Sequence, residues 1–166
     1  MSSTVFSSSL VNWLTGVQLE RYIKHNANAD TKRIYLGIFA LNTLPRKIHK
    51  YPLLLIVNSD TDNLPGRHWR AVYISQSLHG EVFDSLAYPV SIALEKWLNS
   101  FTLKWKQTND FYIQFPLSPS CGAFVLHFVL NRLGANSLEH YLRCYFSTDI
   151  FANERMIKRY MYALKK

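Results

Sequence analysis

The stretch QFPLSPSCGAFVLHFVLNRLG, residues 114–134, decides the fold. A polar segment interrupted by two prolines leads to Cys121, and the residues that follow, 121–133, are apolar nearly all round. A helix without a polar face is buried on every side, and glycine is a common residue just after a helix end. The sequence therefore predicts a central, buried helix that starts at Cys121 and is capped at Gly134.

Cys121 opens this predicted helix, where backbone N–H groups lack partners within the helix and the helix dipole is positive. That setting favours the thiolate, which is the nucleophilic form of cysteine. The alternative is a small core residue, which is the commoner role of a lone cysteine. Cys144 has no comparable setting, and we expect it to be an ordinary packing residue.

The patterns outside this stretch predict an α+β fold, with a mixed sheet in the middle and helices before and after it. We expect residues 1–166 to form one domain with a flexible tail at 1–9. Strands are expected at 35–40, within 51–59, and at 68–75, 80–84 and 111–115. Helices are expected within 10–23 and at 91–101, 138–146 and 151–164.

The bulk composition is that of a globular domain, since 48% of the 166 residues are hydrophobic. Two cysteines without a CxxC pair form neither a disulfide framework nor a zinc site, so we expect a reducing intracellular compartment. The apolar stretches are shorter than a membrane span, so no membrane partner is expected. The net charge of +8 would suit DNA if the basic residues shared a face, and a solvated basic surface explains it equally well.

A cysteine nucleophile needs a base within hydrogen-bonding reach, and the chain has six histidines. His127 lies on the predicted central helix and should point away from Cys121. Four others stand in polar contexts that suit surface positions: His25, His49, His79 and His140. His68 differs because it starts a predicted strand directly after a loop, which fixes the side chain and leaves the ring accessible.

Asp84 ends the strand that follows, and antiparallel strands bring such positions together at one end of a hairpin. If the hairpin is centred near Gln76, residues 68 and 84 face each other. Asp84 would then accept the imidazole N–H and hold the ring of His68 in the productive tautomer. The alternative is an ordinary turn residue at a strand end.

Gln114 lies within the apolar segment FYIQF, where a buried amide without partners would cost on the order of a few kcal/mol. Its N–H donors could face the oxyanion of an acyl-transfer reaction, together with the backbone N–H of Cys121. Alternatively, the amide hydrogen-bonds a neighbouring loop.

Three segments carry a resemblance to a known family: GRHWRAVYI (66–74), GEVFDSLAY (80–88) and QFPLSPSCGAFVLHF (114–128). They resemble the catalytic blocks of the adenovirus endopeptidase (adenain) family, which includes proteases of Maverick/Polinton elements and related small DNA viruses. The similar regions span about residues 34–130. The resemblance implies a papain-like cysteine protease fold of the Ulp/adenain type, with a nucleophile-bearing central helix beside a mixed sheet.

By position, His68 matches the general base of that family, and Asp84 its acidic partner, which is often Glu in adenain-type enzymes. Gln114 matches the oxyanion glutamine, and Cys121 the nucleophile. The resemblance implies a cysteine endopeptidase that cleaves capsid or core precursors during virion maturation, in the virion and the host nucleus or cytoplasm. No cofactor is required for that chemistry.

The resemblance also implies activators, either DNA bound through a basic surface or a viral peptide. Adenain attaches its peptide through a cysteine upstream of the nucleophile. This chain has Leu103, Lys104 and Trp105 in that region, so an activating peptide would not be linked by a disulfide.

Two other functions stay open. A ubiquitin-like-protein-specific protease of the same clan, a deSUMOylase or deubiquitinase, would share all four residues, but such enzymes commonly carry Asp where this chain has Ser120. A non-catalytic, basic DNA-binding domain on a degenerate protease fold would also explain the charge of +8. The competent residues at all four positions argue against it.

Overall fold

The computed structural model describes residues 13–63, 67–107 and 111–164, so the expected tail at 1–9 lies outside the described residues. Within these ranges, five strands form a mixed sheet in the order β1-β2-β3-β4-β5. The outer pairs, β1 with β2 and β4 with β5, are parallel, and the pairs around β3 are antiparallel. The strands are β1 (Tyr35–Phe39), β2 (Leu53–Asn58), β3 (Trp69–Ile74), β4 (His79–Phe83) and β5 (Lys104–Gln107).

Helices flank the sheet, and most of them begin at a residue whose side chain caps the first turn, as Thr15, Asn28, Ser91, Ser137 and Asp149 do. Their bounds are α1 (Gly16–Asn26), α2 (Ala29–Ile34), α3 (Ile92–Phe101), α4 (Cys121–Asn131), α5 (Leu138–Tyr145) and α6 (Ile150–Ala163). Among the described residues, none of these helices has the length and apolar character needed to cross a membrane.

The central helix α4 is the core element that the sequence predicted. All of its residues from 121 to 129 are buried, and it packs against β3, α1 and α6. Phe128 of α4 stacks on Phe83 of β4, with 4.7 Å between ring centroids. Leu94 and Leu98 of α3 bury the opposite face of the sheet. Because both faces are covered, β2 is an unbroken apolar run instead of an alternating one.

The predicted strand at 111–115 is wrong. The N–H groups of Ile113 and Gln114 both donate to the carbonyl of Ser85, at 2.9 and 3.1 Å, so the segment is a bent loop held at one acceptor. The fifth strand is instead Lys104–Gln107, which pairs with β4. Its two lysines are exposed at the edge of the sheet, so it lacks the apolar pattern by which a strand is predicted.

The end of α4 also differs from the prediction. The helix stops at Asn131, and Gly134 belongs to a short 3₁₀ turn, Arg132–Gly134, instead of capping α4. Arg132 explains the turn, because its guanidinium donates to both carboxylate oxygens of Glu81, at 2.7 and 2.9 Å, and to the carbonyl of Ala135. The 3₁₀ turn thus lies where Arg132 forms its buried ion pair with Glu81.

The β3–β4 hairpin is centred on Ser77, one residue beyond the predicted centre at Gln76. Ala71 pairs with Phe83 and Ile74 with Gly80. Continued by one pair, this register places Arg70, and not His68, opposite Asp84. The turn between the strands contains Leu78, which has a φ of 60°.

His127 is buried in α4, and its Nδ1 lies 2.7 Å from the hydroxyl of Tyr141. As the sequence predicted, it does not take part in the Cys121 cluster. Burial lowers the pKa of His127 from 6.5 to about 4. The folded protein therefore holds this ring neutral over a pH range in which the unfolded chain binds a proton.

This difference predicts that the free energy of unfolding falls by about 3 kcal/mol as the pH drops from 6.5 to about 4. His127→Gln keeps a hydrogen-bonding group beside Tyr141 but cannot titrate, so its loss of stability over this range should be smaller. Denaturant unfolding at several pH values measures it. His25→Gln, at an exposed position, serves as the control. If the free energy of unfolding of His127→Gln depended on pH as steeply as that of the parent chain, the prediction would be contradicted.

Candidate active site

Three of the predicted site residues meet at one end of strands β3 and β4. His68 directly precedes β3, Asp84 directly follows β4, and Cys121 is the first residue of α4. The antiparallel pairing of β3 and β4 brings His68 and Asp84 to the same end. The packing of α4 across β3 adds Cys121.

The imidazole of His68 and the carboxylate of Asp84 form a buried hydrogen bond, with 2.7 Å between Nε2 and Oδ1. The predicted contact is therefore present, although the register predicted for it is wrong. His68 lies diagonally across from Asp84, and both are buried. The backbone N–H of Leu86 also donates to Oδ1, at 2.8 Å.

Arg70 is the residue that the register places opposite Asp84, and the sequence did not single it out. Its Nε donates to Oδ2 of Asp84 at 2.7 Å, and its Nη2 donates to the carbonyls of Tyr88 and Pro89 at 3.4 and 3.1 Å. The available signal was the strand alternation, because side chains two residues apart share one face of a strand.

Cys121 completes the cluster, because its side chain lies near enough to His68 to help raise the pKa of the ring. Because Asp84 engages Nε2, Nδ1 is the ring nitrogen left for the sulfur. Cys121 is buried but lines a cleft of about 330 Å³. The other residues of the cleft include Trp13, Arg67, Leu86, Tyr88 and Pro116.

The charges of the cluster support one another. Burial lowers the pKa of His68, but the hydrogen bonds and charges of Asp84 and Cys121 outweigh that effect and raise it to about 9. Burial alone would raise the pKa of Asp84, and the contacts with His68 and Arg70 outweigh it and lower the pKa. The raised pKa favours the imidazolium form of His68, and a cation beside a cysteine sulfur in general favours the thiolate.

Gln114 reaches the same cleft from the loop before α4. Its Oε1 accepts a hydrogen bond from the Ser85 hydroxyl at 2.6 Å, and its Nε2 donates to the Ser118 carbonyl at 2.7 Å. The hydrogen bond to a neighbouring loop, which is the alternative to the oxyanion role, is therefore present. An amide nitrogen carries two hydrogens, so this bond leaves one for a ligand in the cleft, and the oxyanion role stays a prediction.

Glu154 on α6 is a second residue that the sequence did not indicate. Its carboxylate accepts hydrogen bonds from the Phe115 N–H at 3.1 Å and from the hydroxyls of Ser118 and Ser120 at 3.2 and 2.9 Å. These bonds hold the loop that joins Gln114 to Cys121. The Ser120 hydroxyl is engaged there and does not cap α4.

Trp69 and Gly122 join β3 to the start of α4. The indole N–H of Trp69 donates to the Leu14 carbonyl at 2.9 Å. A β-carbon placed on Gly122 would lie 3.0 Å from Cβ of Leu14 and 3.2 Å from Cδ1 of Trp69, which is closer than carbon atoms normally pack. The absence of a side chain at 122 lets the helix start approach the strand that follows His68.

The remaining candidates lie away from this cluster. His25, His49 and His79 are exposed, as expected, and His140 is half-buried. Cys144 is exposed, so its predicted role as a packing residue is wrong. Its position on the outer side of the amphipathic helix α5 explains the difference, because Leu138 and Tyr141 supply the buried side. Within the described ranges, no three His, Cys, Asp or Glu side chains cluster as metal ligands would.

A mixed sheet that carries a histidine and its acidic partner at one edge, with a cysteine at the start of a buried helix beside them, defines the papain-like cysteine protease fold of the Ulp type. The SUMO protease Ulp1, solved with its catalytic cysteine oxidised to a sulfinic acid, has this fold. It is 15% identical to the chain, with a TM-score of 0.51 over 90% of this chain and 76% of Ulp1.

The ASFV pS273R protease matches 66% of the chain at 19% identity, with a TM-score of 0.48. The match spans 46% of the length of that protease. The sequence matches no protein-family model and no curated protein sequence. The similarity to Ulp1 supports the clan fold, and the narrower resemblance to adenain stays a prediction.

We predict that Glu154→Ala loosens the loop before Cys121, because Phe115 N–H and the two serine hydroxyls lose their shared acceptor. The expected loss of stability is about 1–3 kcal/mol, with faster hydrogen exchange at the Phe115 amide. Glu139→Ala is the matched control, since this exposed carboxylate pairs only at the surface with Lys106. Equal exchange of the Phe115 amide in both variants would contradict the prediction.

Proposed function

We propose that the chain is a cysteine endopeptidase with Cys121 as its nucleophile. One observation carries the proposal: a buried His68, hydrogen-bonded to Asp84 through Nε2, lines the same cleft as Cys121. This arrangement provides a nucleophile, a proton carrier and an orienting acid within contact of one another.

In the proposed reaction, the Cys121 thiolate attacks the carbonyl carbon of a peptide bond. The imidazolium of His68 donates its proton to the leaving amine, and the C–N bond breaks to leave a thioester. His68, now neutral, takes a proton from water as that water attacks the thioester carbonyl. The C–S bond then breaks, the acid product leaves, and Cys121 is a thiolate again. Asp84 holds the ring in one orientation and stabilises its charged form throughout.

The negative oxygen formed in each attack needs donors in place beforehand. Gln114 can supply the N–H that its bond to Ser118 leaves over. The backbone N–H of Cys121 can supply a second, since the first N–H groups of a helix have no acceptor within it. Ser85 and Ser118 support this role because they hold the amide of Gln114 from both sides.

For substrate, we propose virion structural precursors, cut by an enzyme encoded by a virus or a transposon and acting in the virion or the host nucleus or cytoplasm. Support comes from the three segments that resemble the adenain family and from Ser120 before the nucleophile. No cofactor is proposed for the chemistry.

A ubiquitin-like-protein-specific protease is the second candidate, and the similarity to Ulp1 over 90% of the chain favours it. Such enzymes commonly carry Asp at the position of Ser120. Here the carboxylate of Glu154 bonds the Ser120 hydroxyl at 2.9 Å, so a negative group lies beside this position although the residue itself is neutral.

We also propose DNA, or a peptide held without a disulfide, as an activating partner. Arg46, Lys47 and Lys50 form an exposed basic segment, whereas Arg33 and Lys106 lie in ion pairs with acidic residues. A purely DNA-binding role would not require the His68–Asp84 contact, so we rank it below the enzyme.

The reactivity of the two cysteines tests the enzyme proposal. We predict that iodoacetamide at mildly acidic pH alkylates Cys121 at least about tenfold faster than Cys144, because His68 favours the thiolate at Cys121. Exposure alone predicts the reverse order, since Cys144 is exposed and Cys121 is buried. His68→Ala should slow only Cys121, and peptide mapping by mass spectrometry separates the two sites. Faster labelling of Cys144 would contradict the proposal.

Cleavage assays separate the substrate classes. We expect the purified chain to cut a capsid precursor, faster with DNA, and Cys121→Ala to be inactive. Covalent capture by SUMO or ubiquitin probes, without precursor cleavage, would favour the second candidate. Cleavage that persists in Cys121→Ala would reject Cys121 as the nucleophile.

A further inference from the structure

Four side chains form a continuous buried series at the edge of the sheet. Arg70 donates to one oxygen of Asp84, His68 bonds the other oxygen, and Cys121 lines the same cleft as His68. Both heavy-atom separations at Asp84 are 2.7 Å. When the cysteine is a thiolate and the histidine an imidazolium, positive and negative charges alternate along the series and sum to zero.

We propose that Arg70 is a positioning residue that neutralises and orients Asp84, so that Cys121 and His68 form their ion pair beside a carboxylate without net negative charge in the buried site. The inference rests on the proposed function, because it concerns the same cysteine and histidine. The contacts of Arg70 with the carbonyls of Tyr88 and Pro89 also fix its guanidinium on the loop that forms one wall of the cleft.

Removal of the guanidinium charge leaves Asp84 with two alternatives. If Asp84 stays ionised, its uncompensated charge opposes the thiolate. If Asp84 takes up a proton, His68 loses the anion that keeps it an imidazolium, and the sulfur loses its cation. Both alternatives reduce the thiolate present at a given pH.

The other charged and titratable groups near the series lie on three elements. Arg67 lines the cleft ahead of β3, its Nε 3.9 Å from Asp60. The ring of Tyr88 contacts His68 edge-on, with 5.4 Å between centroids. Glu154 reaches the segment before Cys121 from α6. Arg70, like His68, contacts Asp84 directly.

The test is the pH dependence of Cys121 alkylation by iodoacetamide, measured in a Cys144→Ser background. Arg70→Gln removes the charge and keeps a hydrogen-bond donor. We expect the rate of Cys121 alkylation in this variant to rise with pH about one unit higher than in the parent chain. At a pH on the rising limb of the parent profile, alkylation should therefore be about tenfold slower. Arg70→Lys keeps the charge and should rise at the same pH as the parent chain.

Arg132→Gln is the matched control, because Arg132 forms the other buried arginine–carboxylate pair of the described chain, with Glu81. It should lower stability and leave the pH of the rising limb unchanged. An unmoved limb in Arg70→Gln, or an equal shift in Arg132→Gln, would overturn the inference.

If Arg70→Gln does not fold, Arg70→Lys decides the question. A limb at the parent pH supports the role of the charge, and a limb shifted by about one unit overturns it. The proposed function fails separately, with Arg70 intact, if His68→Ala leaves the alkylation of Cys121 unchanged.

Discussion

The carboxylate of Asp84 receives hydrogen bonds from a ring, a guanidinium and a backbone amide, all in a setting closed to solvent. A buried carboxylate is costly unless its oxygens are paired. Each donor links a different part of the fold to the Asp84 carboxylate. His68 comes from the loop before β3, Arg70 from β3 itself, and Leu86 from the loop after β4. The positions of the groups around Cys121 therefore depend on the hydrogen bonds that the Asp84 carboxylate accepts.

The second support of the site comes from the helices. Burial on all sides fixes α4 in the middle of the molecule, so its first residue has one position relative to the sheet. The loop that precedes α4 is irregular and would be free to move on its own. Glu154 compensates by accepting three of its hydrogen bonds, and Ser85 holds the amide of Gln114 at its start.

The elements around the site were predictable where a single segment carried its own signal. The apolar run after Cys121 indicated the buried helix, and the two strands with a turn between them indicated that His68 and Asp84 share one end. What failed depended on contacts distant in sequence. Arg70 needed the hairpin register, and the hairpin is centred one residue beyond the predicted position. Glu154 is an ordinary charged helix residue until α6 packs against the loop before Cys121.

Gly122 has little room for a side chain beside Leu14 and Trp69, and its lack of one lets the start of α4 lie close to the strand that follows His68. The length of a hydrogen bond can vary slightly, whereas carbon atoms in van der Waals contact strongly resist closer approach. A residue without a side chain at 122 therefore fits the space that Leu14 and Trp69 leave. A methyl group at 122 would meet Cβ of Leu14 as well as the indole of Trp69, so a change at 122 needs room at both of these positions.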